Sequence, residues 1–100
     1  MKESDVQKLA KERLDKYGYA YWFPPRTWGE RDILGVFDFI AFSKRGQILL
    51  VQITTIQHLS DRRKKIAVFL SKHDILHADK NIRIWAWDKR INDFQVRKLK

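Results

Sequence analysis

Two apolar runs, Val36 to Phe42 and Ile48 to Thr55, flank a Lys44-Arg45-Gly46 turn, and each run carries one polar residue in its middle. Both runs are rich in β-branched and aromatic residues, so the segment reads as a β-hairpin. Asp38 stands among Phe37, Phe39, Ile40 and Phe42, and Gln52 among Leu49, Leu50, Val51 and Ile53. Strands of that composition are expected to be buried on both faces, where an unpartnered polar group is costly. The turn sets the pairing. A three-residue loop with Gly46 in the left-handed bulge position places Ser43 opposite Gln47 and, counting outward, Asp38 opposite Gln52. Directly opposed residues of an antiparallel pair have Cβ atoms about 5 Å apart on one face. A two-residue loop would slip the register and send Gln52 to the other face. A carboxylate and an amide oxygen are thus expected to converge on one point, either as a buried Asp–Gln hydrogen bond that satisfies only itself or as part of a site.

One hundred residues bound the chain to one domain, residues 1–100, with a single core. Lys and Arg number 21 against 12 Asp and Glu, a net charge of +9 spread along the sequence. That balance favours a polyanionic partner, nucleic acid first and anionic membrane second. There is no cysteine, which excludes disulfides and thiolate metal sites and suits a reducing compartment. No apolar run approaches the roughly 20 residues of a membrane span, and the start Met1-Lys2-Glu3 does not read as a signal peptide. The expected setting is cytoplasmic, without membrane attachment.

In chain order, Ser4-Asp5-Val6-Gln7 has the form of a capping box, and Val6, Leu9, Ala10, Leu14 and Tyr17 recur at helical spacing up to Gly18. Tyr19 to Phe23 has strand composition and ends at Pro24-Pro25. The following loop carries Arg26, Trp28, Gly29, Glu30, Arg31 and Asp32. After the hairpin a second helix is expected, capped by Ser60 and running through Phe69 towards His77. Ile66, Phe69, Leu70, His73 and Leu76 share one face, with Arg62 inside it and Lys65 on its edge. Arg63 and Lys64 point elsewhere. A cation near a helix start opposes the helix dipole, which argues for a specific acceptor, against a reading in which the long stems only cover apolar surface. Ile82 to Trp87 alternates as a strand, Asp88-Lys89-Arg90 turns, and Phe94 to Leu99 alternates again. The predicted order is α-β-β-β-α-β-β: an α/β fold with a mixed sheet of about five strands, a helix on each face, and a right-handed crossover between the third and fourth strands.

The element order, an acidic residue on the second strand and a polar, apolar, polar triplet on the third resemble the PD-(D/E)XK nuclease superfamily, notably its small junction-resolvase-like and phage-type members. The resemblance covers most of the chain and implies a restriction-endonuclease-like core. The family's first acidic position matches Asp38, and its Glu-X-Lys motif falls on Gln52-Ile53-Thr54, so the acid is replaced by its amide and the lysine is missing. The family tolerates a lysine moved to the following helix, where Lys65 stands with Arg62 one turn earlier. A phage-type branch is similar at Asp32, Gly35, Asp38, Val51, Gln52, Thr54, Thr55, Arg62, Lys65 and Ile66. The first-helix Glu of the resolvases falls on Gln7 or a neighbour, which leaves that ligand unsupported.

The resemblance implies a homodimeric endonuclease dependent on Mg²⁺ or Mn²⁺ and acting on duplex or branched DNA. Asp38, Gln52 and the Ile53 carbonyl are the implied metal ligands, with Asp32 as the nearest further carboxylate. Lys65 is the group to orient water or stabilise the transition state, and Arg62 the group to bind the scissile phosphate. Arg26, Arg31, Lys44, Arg45, Arg63 and Lys64 are candidates for contacts to the DNA backbone, and Trp28 for stacking on a base. The altered motif equally suits a nuclease fold that has lost activity and binds nucleic acid, and a basic α/β domain serving protein assembly is the third reading. His73 and His77 stand a helical turn apart, but His73 on an apolar face reads better as a core residue than as a zinc ligand. Trp85 and Trp87 share a strand face and are expected to pack under a helix or in a dimer contact, not to bind a ligand.

Overall fold

The computed structural model describes residues 2–25 and 32–99. Its elements run α1 (Glu3–Lys16), β1 (Tyr21–Trp22), β2 (Phe39–Phe42), β3 (Ile48–Thr55), α2 (Leu59–Lys72), β4 (Ile82–Asp88) and β5 (Asp93–Arg97). The five strands form one sheet in sequence order, antiparallel throughout except that β3 and β4 run parallel. Short 3₁₀ turns at Ile56–His58 and Asp79–Asn81 bracket α2 in the connection between those two strands.

The period of two in β3 and β4 decides where the helices go. Val51 and Ile53 of β3 and Trp85 and Trp87 of β4 face α1, where they close with Val6, Ala10 and Leu14, Phe39 and Phe94 into one core. Ile82 and Ile84 face α2 and join Val36, Phe37 and Ile66 in the second. The two tryptophans therefore pack under a helix, as their shared face predicts. β3 is buried on both sides from Val51 to Thr54, whereas β2 is not: Ala41 is buried but Phe42 is 48% exposed. With β1 reduced to two residues beside it, β2 lies too near the sheet edge to be covered twice.

Helix ends depart from expectation in a consistent way. α1 starts two residues earlier than the capping box requires, with Lys2 at the N-cap and no side-chain cap. Its other end is a Schellman motif: the Tyr19 amide donates to the Leu14 carbonyl at 2.9 Å and the Gly18 amide to that of Asp15 at 3.2 Å. Gly18 takes the left-handed φ of 70° that this ending needs. Tyr17, expected on the apolar stripe, lies beyond the last turn and is 49% exposed. α2 begins at Leu59 after His58 and stops at Lys72, five residues short of His77, and Asp74 and His77 both adopt positive φ. His73 is accordingly an exposed residue whose ring tilts on Phe69 at 4.8 Å, not a core histidine.

The last hairpin is held by a buried carboxylate. Asp88 accepts from the Arg90 backbone amide at 3.0 Å, the Arg90 guanidinium at 3.3 Å and the Gln95 amide at 2.6 Å. The Arg90 side chain, helped by Gln95 and opposed by desolvation, holds the Asp88 carboxyl below its ordinary value of 3.8. A depressed folded value means the carboxylate stabilises the fold above the ordinary value and loses that contribution as pH falls through the lower one. Asp88→Asn is thus expected to melt below the parent at neutral pH, with the gap closing once the pH drops under about 4. Melting curves of the two proteins across that range are the check.

Candidate functional site

The turn forms as read from the sequence: the Ser43 amide donates to the Gln47 carbonyl at 2.8 Å, the Gly46 amide to Ser43 at 2.9 Å, and Gly46 has φ of 82°. The pairs Phe42 with Ile48 through Phe39 with Val51 follow in register, which aims Asp38 at Gln52. What differs is that Asp38 lies outside the strand. Its backbone amide donates to Val51 at 2.8 Å, and its Oδ2 accepts from the Ile53 backbone amide at 2.6 Å. A carboxylate thereby takes the β3 donor that would otherwise continue the ladder, and β2 starts at Phe39 instead of Val36.

A tight loop just before it brings a second acid round. Ile33 and Phe37 exchange backbone hydrogen bonds of 2.7 and 3.0 Å, closing a turn in which Leu34 and Gly35 both have positive φ, 57° and 72°. Both central residues of a type I′ turn need that conformation, which Gly35 adopts at no steric cost. Asp32 and Asp38 flank this closed loop, and both line a cavity of ≈ 180 Å³ at the end of β3.

The cavity is also lined by Gln52, Ile53, Thr54 and Thr55 of β3, Arg62 and Lys65 of α2, Val6 and Gln7 of α1, and His58. The proposed acid, amide and cations therefore meet although they are spread over 34 positions between Asp32 and Lys65. The amide nitrogen of Gln52, not the oxygen expected there, meets the carboxylate: Nε2 donates to Asp38 Oδ2 at 3.0 Å and to the Ile53 carbonyl at 3.2 Å, since a carboxylate and a carbonyl can only accept. Its Oε1 is buried and has no hydrogen-bond partner among the described residues. Leaving such an acceptor unsatisfied costs about 1–3 kcal/mol. Among the described residues no three His, Cys, Asp or Glu side chains cluster as metal ligands.

Other expected contacts are placed elsewhere or fall outside the described chain. Arg26, Trp28 and Arg31 lie outside the described residues. Lys44 and Arg45 sit in the hairpin turn, about 20 Å from Gln52 by strand rise. There the Lys44 ammonium donates to the Gly18 carbonyl at 3.2 Å and lies over the Tyr19 ring. Arg63 is half-buried and donates to the Lys98 carbonyl at 3.4 Å, so it is tied to the C-terminal segment, whereas Lys64 is exposed. Gln7, the position to which the resolvases' first-helix ligand counts back and which carries no carboxylate, lines the cavity, as does His58, whose one signal in the sequence is that it directly precedes α2.

Compared with models of protein families, with curated proteins and with solved structures, the chain matches none.

Proposed function

We propose that this protein is a divalent-metal-dependent endonuclease with a restriction-endonuclease-like core, cleaving DNA phosphodiester bonds in duplex or branched substrates. The observation that carries the reading is that Asp38, Gln52, Ile53, Arg62 and Lys65 line one cavity. The oxygen donors there are hard ones suited to Mg²⁺ or Mn²⁺: a buried carboxylate, an amide oxygen that lacks a partner among the described residues, and a strand carbonyl, with Asp32 lining the same cavity. Bound there, a divalent ion would supply a Lewis acid and a water that ionises near neutral pH.

The chain's own residues supply the rest. Asp38 is held in place by the Ile53 amide and the Gln52 side chain. Hydrolysis forms a bond from water oxygen to phosphorus and breaks the bond to the leaving sugar oxygen. Negative charge grows on the phosphoryl oxygens as it proceeds. Arg62 and Lys65, half-buried on the cavity wall, are the cations that meet that charge, with Arg62 binding the phosphate and Lys65 standing in for the lysine that Thr54 replaces. The excess of 21 basic over 12 acidic residues draws the polyanion in.

The test is incubation of the protein with labelled duplex, single-stranded and four-way-junction DNA in Mg²⁺, Mn²⁺ and EDTA, beside Asp38→Ala and Lys65→Ala. Lys65→Ala is expected to cut about 100-fold more slowly while keeping most of its DNA affinity. Binding without cutting in every metal favours the second reading, a retired nuclease that only binds DNA, for which the hydrogen bond from Gln52 into Asp38 speaks. Neither binding nor cutting sinks both.

A further inference from the structure

The Gln52 amide nitrogen stands where two oxygens converge. It lies 3.0 Å from Asp38 Oδ2 and 3.2 Å from the Ile53 carbonyl, donating one hydrogen to each. A carboxylate and a carbonyl aimed at one point repel unless something positive lies between them, and the partial charge of the NH₂ group fills that need. The same residue's Oε1 is buried with no partner among the described residues, while its nitrogen faces both acceptors. An amide carries a donor and an acceptor on one flat group of nearly symmetric shape, and a half-turn of its last torsion exchanges them.

We infer that the Gln52 side chain is a built-in substitute for the cation, a plug that holds Asp38 and Ile53 together without metal and must turn over to admit one. Drawn back from that point and turned, it presents Oε1 to the cation, and the buried acceptor becomes a ligand. The inference rests on the metal-dependent reading of this cavity and adds its regulation: cation entry competes with an internal hydrogen-bond pair. A glutamate at the same position cannot act as the plug, because it has no hydrogen to donate to Asp38 when ionised. The amide makes the empty site stable and the filled site weak; a carboxylate reverses both.

The experiment compares the parent with Gln52→Glu and Gln52→Met by melting temperature in EDTA and in Mn²⁺, and by titration of Mn²⁺ binding. Gln52→Glu is expected to melt below the parent in EDTA, to gain more from Mn²⁺ than the parent does, and to bind Mn²⁺ about tenfold tighter or more. Gln52→Met, with neither donor nor oxygen, is expected to melt lower in both conditions and to gain nothing from Mn²⁺. In the unaltered protein the Gln52 side-chain NH₂ resonance is expected to shift on adding Mg²⁺. A Gln52→Glu protein as stable as the parent in EDTA with no added gain from Mn²⁺ overturns the inference, as does an NH₂ resonance that Mg²⁺ leaves in place. Should Gln52→Glu fold poorly, the resonance alone decides. Metal-induced stabilisation of Gln52→Glu with no cutting of any DNA leaves the plug standing and removes the nuclease; cutting by the parent with an unmoved NH₂ resonance does the reverse.

Discussion

Asp38→Ala is expected to reduce metal-dependent DNA cleavage by at least about 100-fold and to destabilise the fold by about 1–3 kcal/mol. The two effects have separate causes. Activity falls because the one buried carboxylate that lines the cavity among the described residues is gone, and with it the strongest oxygen donor there for a divalent ion. Stability falls because the Ile53 amide, now 2.6 Å from Asp38 Oδ2, loses its acceptor and the Gln52 NH₂ loses one of its two. Asp38→Asn separates them. Its side-chain oxygen still accepts from Ile53, so it should recover much of the melting temperature while cutting no better than the alanine variant. Cleavage rates beside thermal melts of both variants test this. An asparagine variant that cuts at the parent rate removes Asp38 from the chemistry.

Phe39→Ala is expected to cost about 3–5 kcal/mol, the range for truncating a fully buried aromatic. Phe39 is completely buried, stacks on Phe23 with ring centroids 4.8 Å apart and meets Trp85 edge-on at 5.2 Å. Its removal leaves a void between α1 and the sheet that β1, two residues long, is too short to collapse into. A small domain holds about 5–15 kcal/mol in all, and 1 kcal/mol is worth roughly 4 °C or more at this size. A fall of about 12 °C or more in melting temperature is the expected reading. Phe42→Ala, three positions along the same strand but half-exposed, is expected to move it far less. Equal shifts for the two variants would mean the α1 core does not carry the fold.

What the sequence disclosed was local. The bounds of β3, Ile48–Thr55, follow from a β-branched and apolar run, interrupted by Gln52, that begins just after the Lys44-Arg45-Gly46 turn, and that three-residue turn decides which residue opposes Gln52. Arg62 and Lys65 were separable from Arg63 and Lys64 by helical angle alone, and the former pair lines the cavity. What the sequence concealed depends on competition or on distance. Asp38 has strand neighbours on both sides, yet its carboxylate outbids a backbone carbonyl for the Ile53 amide and ends the ladder. The apolar spacing of α2 continues to Leu76, but left-handed backbone at Asp74 ends the helix, leaving Leu76 77% exposed. Gln7 and His58 reach the cavity only once α1 and the start of α2 are laid on opposite faces of the sheet.

The central strand belongs to both cores at once: Val51 and Ile53 lock into one, Leu50 lies against the other, and Gln52 and Thr54 sit on that second side. Motions that open part of a protein draw on segments with one free side, and β3 from Val51 to Thr54 has none. The amides there should be among the last to exchange with solvent, released by complete unfolding alone. On the nuclease reading proposed above, the wall that β3 forms with Asp38 is a rigid template to which DNA would have to conform, while adaptation is left to the long, half-exposed side chains of Arg62 and Lys65 on α2.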